Sequence, residues 1–75
     1  MAKGFIHTVY KDEQWVNEVE EGDSIGGVHM TKEEAVEVGR ARARQDQTEH
    51  VIHNQDGTIS ERNSHGNDPA KSSPG

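Results

Sequence analysis

Between Thr31 and Gln47 small and apolar side chains recur every three to four residues. Val36, Gly39 and Ala43 fall on one side, with Ala35 and Val38 flanking. That period predicts one amphipathic helix over 31–47. The ends agree with it. Thr31 and Glu34 fit a capping box, in which each side chain accepts from the other's backbone N–H. Glu33, Glu34 and Glu37 lie near the positive end of the helix dipole, and Arg40, Arg42 and Arg44 near the negative end. The stripe is built of small residues, so the helix is expected to lie close to its neighbour while burying little area. Gly39 costs about 1 kcal/mol in a helix relative to alanine, which points to close backbone approach there.

The flanking segments alternate as strands do. Phe5–Tyr10 and Trp15–Glu20 are predicted strands joined by a polar connection. If Tyr10 pairs with Trp15, then Ile6, Tyr10, Trp15 and Val19 share one face. Phe5, His7, Val9 and Val16 share the other with Glu18 and Glu20. The first face is expected under the helix, because its aromatics pair across strands. Ile25–Met30 is a short third strand leading into the cap, with Met30 placed to staple onto Ala35. After the helix, Glu49–Asn54 and Thr58–Asn63 are expected to form a second hairpin. Its turn, Asn54-Gln55-Asp56-Gly57, gives Gly57 the positive φ of a bulge. In that register Val51, His53, Ile59 and Glu61 point one way, and His50, Ile52, Ser60 and Arg62 the other. Val51 and Ile59 are expected under the helix. The fold class is therefore α+β: a small antiparallel β-sheet in ββ(β)αββ order with one α-helix packed on one face. It makes a single domain over 1–69, with a disordered tail over 70–75.

Composition limits the core. Hydrophobic residues are 28% of the 75, with no Leu and no Cys, so neither a large interior nor a disulfide is available. Self-association is one route to more burial; a marginally stable monomer is the other. The net charge of −6 is uneven, with three Lys against nine acids in 1–39 and five bases against five acids in 40–75. That balance argues against a nucleic-acid module, whose footprint is basic. No run approaches the roughly 20 apolar residues of a membrane span, and no secretory segment follows the start. A cytoplasmic protein without a membrane partner is the default expectation.

Several segments in order resemble a known family: WVNEVE at 15–20, TKEEAV at 31–36, VIHN at 51–54, DGTI at 56–59, ERNS at 61–64 and GNDP at 66–69. Together they are similar to the small bacterial domain-of-unknown-function family 2188, over about His7 to Pro69. The ending DGTIxERNSxGNDP is the most specific part. Members often carry Tyr where this chain has His65, so a role needing a phenol there does not transfer. The resemblance implies a compact α+β unit with an antiparallel sheet and one helix, and no activity.

Candidate chemistry is sparse. Of the five His, His50 and His53 are three apart, a helical spacing on a segment that reads as strand. A metal site would need His from separate elements, such as His7 with His53, plus a carboxylate. The plainer reading, in which His53 bonds within the sheet, is favoured, and no cofactor is expected. Ser60, Ser64, His65 and Asp68 are near one another only in sequence, and so short a chain has little room for a catalytic pocket. A non-catalytic interaction module, binding a protein partner or itself, is the leading expectation. Arg62, Asn63, His65, Asn67 and Asp68 are its partner-binding candidates, competing with a structural role in which Arg62, Asn63 and Asp68 cap backbone groups of the sheet. Phe5, Val9, Val16 and Ile52, on the face one helix cannot cover, are its self-association candidates, with a homodimer as the outcome. The alternative is a nucleic-acid accessory protein using Arg40, Arg44 and Arg62, set against simple dipole compensation by the helical pair.

Overall fold

The first hairpin turns on two residues. In the computed structural model, which describes residues 4–65, β1 (Ile6–Lys11) and β2 (Gln14–Val19) pair antiparallel with Tyr10 opposite Trp15, the register on which the face assignment depended. Asp12 and Glu13 both have positive φ, 51° and 64°, the backbone of a type I′ turn that matches strand twist. Glu13 is a poor residue for it, since a side chain at positive φ crowds the backbone. Glu13→Gly should therefore raise stability by about 1 kcal/mol, a gain of roughly 4–8 °C in thermal midpoint. Unchanged or lower melting would mean that the turn is not held in this conformation.

β3 (Ser24–His29) adds to β2 through a bulge, where Gly26 and Gly27 both have positive φ. Cβ atoms are unwelcome at Gly26 for a second reason: one would meet the Val38 methyl at 2.7 Å. Met30 is 78% exposed, too open to act as the expected staple.

The helix, α1 (Lys32–Asp46), begins at Thr31, whose side chain accepts from the Glu34 N–H at 3.2 Å. It ends with Gln47 in the left-handed region; the Gln47 N–H donates to Arg44 O and the Thr48 N–H to Ala43 O. That pair of bonds is a Schellman closure. Ala35, Gly39 and Ala43 are buried and face the sheet, while Val36 and Val38 flank them half-buried.

β4 (Glu49–His53) and β5 (Ile59–Ser64) form the second hairpin, with the Gly57 N–H donating to Asn54 O and φ of 94° at Gly57. Asp56 caps the turn by accepting from the Thr58 N–H and hydroxyl, which holds its carboxyl below the usual range.

The two hairpins meet in the middle of one five-stranded sheet of order β3-β2-β1-β4-β5. The class is the α+β unit expected, but the sheet is mixed: β1 and β4 run parallel, with Ile6, His7 and Thr8 opposite His50, Val51 and Ile52. Geometry requires this. Two antiparallel steps make β3 parallel to β1, and a helix after β3 returns the chain to its starting end, so β4 enters parallel. The helix lies over β1 to β4 and leaves β5 uncovered.

Strand pairing fixes both faces. Ile6, Thr8, Tyr10, Trp15, Asn17, His50 and Ile52 face the helix. His7, Val9, Lys11, Val16, Val28, Val51, His53 and Arg62 lie on the other face. Two expectations are corrected. Ile52, not Val51, is under the helix, because the parallel register sets Ile52 beside Thr8. Ile59 is 53% exposed rather than covered, because the side it shares with His53, across the Ile52/His53 bulge, is the open face and not the helix face. The same bulge places Arg62 opposite Val51, and Glu61 opposite Ile52, reversing the sides expected for those two. Among the described residues, no helix is long and apolar enough to cross a membrane.

Candidate functional site

Directly under Gly39 the sheet presents polar groups. Thr8, Asn17 and His50 are each 0% exposed. The Asn17 amide donates to the Ala35 carbonyl at 2.9 Å, which fixes its other atom as an oxygen. The Thr8 hydroxyl donates to that oxygen at 2.5 Å. With its only proton committed, Thr8 must accept from His50 Nε2, 2.7 Å away. The result is a one-way chain from His50 through Thr8 and Asn17 to the backbone of α1, and it sets His50 as the Nε2–H tautomer. Burial, and then the charges of His65, Arg40 and His7, lower the His50 pKa to about 4. His50 Nδ1 is buried and has no hydrogen-bond partner among the described residues. Sequence reading passed over Thr8 and Asn17. The available signal was a polar residue at an inward-facing position in each of two paired strands, combined with a glycine in the helix above.

On the opposite face β1 and β4 bring His7 and His53 together. His7 Nδ1 lies 3.0 Å from His53 Nε2, with ring centroids 5.2 Å apart and planes tilted by 32°. His53 Nδ1 faces Gly57 O at 3.4 Å. Both rings are half-buried. The sheet does bond His53 internally, as expected, and its ring partner is the one residue the sequence reading had named with it.

Around this pair runs an apolar row. Val28, Val16 and Val9 stand opposite one another across β3, β2 and β1. His53 carries the row into β4, and Ile59 pairs with His53 in β5. The ends are open, Val28 at 57% and Ile59 at 53% exposure, while Val16 and Val51 in the middle are nearly buried at 8% and 3%. Two ion pairs frame the row, Lys11–Glu18 and Arg62–Glu49, each at 2.6 Å.

The remaining candidates are scattered. Arg40 and Arg44 are exposed on the helix, but Arg62 lies across the sheet with its guanidinium on Glu49, so the three do not form one basic patch. Asn63 stands opposite His50. His65 is half-buried, its backbone N–H donating to Thr48 O at 3.3 Å and its Nε2 buried with no hydrogen-bond partner among the described residues. Asn67, Asp68 and the 70–75 tail lie outside the described residues. Of the self-association candidates, Val9 and Val16 are on the open face, Phe5 is half-buried just before β1, and Ile52 is under the helix. A groove of about 300 Å³ between α1 and β5 has Val36 and Ile52 in its lining, with charges of both signs from Lys32, Arg40, Glu37 and Glu61.

A family model described as an uncharacterized protein conserved in bacteria, domain-of-unknown-function family 2188, matches residues 6–65. The chain belongs to this family. The match begins at the first residue of β1 and ends one residue after β5, so family 2188 corresponds to the whole sheet and its helix. No curated protein and no solved structure matches the chain.

Proposed function

We propose that this protein is a non-catalytic interaction module whose working surface is the helix-free face of the sheet, and that its partner there is a second copy of itself. The observation that carries the reading is the row Val28, Val16, Val9, His53 and Ile59, which crosses all five strands, is apolar except at His53, and is open at Val28 and Ile59. Charge supports a second copy as the occupant. The chain as a whole is at −6, so two copies repel at most orientations. The open face is locally balanced, because Lys11 and Arg62 offset Glu18 and Glu49. A two-fold axis through such a face sets patches of both signs against their complements, as an isologous contact requires.

Sedimentation equilibrium over a wide concentration range tests this. The wild type is expected to shift from monomer to dimer between micromolar and millimolar concentration. The exposed substitutions Val28→Lys and Ile59→Lys together are expected to keep the fold and hold it monomeric. A monomer at every concentration overturns the reading, and so does a dimer that the double variant leaves intact.

A further inference from the structure

We infer that His7 and His53 are half of a divalent transition-metal site, of the Zn²⁺ class, completed by the same two side chains of a second copy; this rests on the self-association reading above. The ligand atoms are already placed. A tetrahedral ion with Zn–N distances of about 2.0–2.1 Å holds its nitrogens roughly 3.3–3.4 Å apart. His7 Nδ1 and His53 Nε2 are 3.0 Å apart, so a few tenths of an ångström of opening admits the ion.

The support behind one ligand is in place as well. His53 Nδ1 faces the Gly57 carbonyl, the arrangement in which a metal-bound imidazole donates its second N–H to a backbone oxygen. That bond leaves the His53 Nε2 lone pair facing His7, and in the metal-free protein His7 Nδ1–H donates to it. On binding, the His7 proton moves to Nε2, both facing nitrogens become lone-pair donors, and no net proton is released from the neutral rings. The rings sit on adjacent strands in the middle of the sheet, so their spacing is set by strand pairing and not by a loop.

The site is incomplete in one chain. No group of three or more His, Cys, Asp or Glu that could hold an ion exists among the described residues. Two imidazoles alone hold Zn²⁺ weakly. His53 lies within the apolar row itself, so a two-fold axis through the pair brings four imidazoles to one point and completes tetrahedral coordination. The ion also adds positive charge between two chains that are each at −6.

The probe is ZnCl₂ added to the full chain, read by sedimentation equilibrium, by calorimetric stoichiometry and by the ring NMR signals of the histidines. The expected result is one Zn²⁺ per two chains, dimerisation tightened by roughly tenfold or more, and selective shifts of the His7 and His53 rings. His7→Gln and His53→Gln should each abolish the Zn²⁺ dependence while leaving the far-UV circular dichroism unchanged. Metal-free dimerisation with no Zn²⁺ effect and unmoved His7 and His53 signals overturns the metal site and leaves the self-association reading standing. One Zn²⁺ per chain with no dimer overturns the shared site and the self-association reading together.

Discussion

Replacing Gly39 with alanine should destabilise the protein by about 3 kcal/mol, although alanine is the better helix former. Propensity alone favours the change by about 1 kcal/mol. The new methyl, however, would come within 3.0 Å of Asn17 Oδ1, His50 Nε2 and Thr8 Oγ1 at once. None of these atoms belongs to a mobile chain end. They are the hydrogen-bonded members of the buried series, so relief means lifting the helix or parting its bonds. Overpacking costs about 1–3 kcal/mol, and each buried polar group left unpaired costs a further 1–3 kcal/mol or so. For a domain with a total stability of only about 5 kcal/mol, the thermal midpoint should fall by on the order of 15 °C. Urea and thermal unfolding followed by circular dichroism would measure it. A variant as stable as the wild type would show that α1 does not rest on Thr8, Asn17 and His50 as described.

The second large effect is on acid stability. His50 has its pKa lowered to about 4 from an unperturbed 6.5. Between those values the unfolded chain binds a proton that the folded chain does not. The His50 contribution is therefore complete above about pH 6.5 and is lost progressively as pH falls through the window to 4. At about 1.4 kcal/mol per unit over this window, the full loss is on the order of 3–4 kcal/mol. Protonation would add an Nδ1–H donor at a buried position with no partner, beside Arg40 and His65. His50→Gln keeps a donor for Thr8 but has nothing to titrate. Its stability should be lower at neutral pH and flatter between about pH 4 and 6.5. If the two proteins lose stability in parallel across that window, His50 is not the group responsible.

Local chemistry was legible in the sequence wherever a few neighbouring residues decide it. Thr31 and Glu34 fixed the helix start and Asp56 and Gly57 the second turn, whereas the faces of the first hairpin were conditional on the Tyr10–Trp15 register that the sheet adopts. Gly39 was read correctly as a point of close approach, but what it approaches was not. That depends on Thr8, Asn17 and His50 arriving from three strands, and a polar residue at an inward position looks like any other polar letter until its partners are known. The side assignments of Val51, Ile52, Glu61 and Arg62 failed for a related reason. Strand faces have a period of two, so they hinge on a single bulge at Ile52/His53 and on the parallel register with β1. Both are set by contacts far apart in the chain. His7 and His53 could be named from the sequence only as an example of a disfavoured metal pair; their juxtaposition comes from the parallel register of β1 and β4.

The central parallel pairing also governs the order in which the molecule can assemble. Residues 4–30 close on themselves through neighbouring strands, and residues 31–65 through a helix and a tight turn, so each half can organise locally. Ile6 must nonetheless wait for His50, and that junction gains little until the intervening loop entropy is spent. The parallel pairing of β1 with β4, three residue pairs long, is thus the long-range closure that joins the two hairpins. Until it happens, a nascent or thermally opened chain exposes the inner edge of β1 to any other strand that comes by.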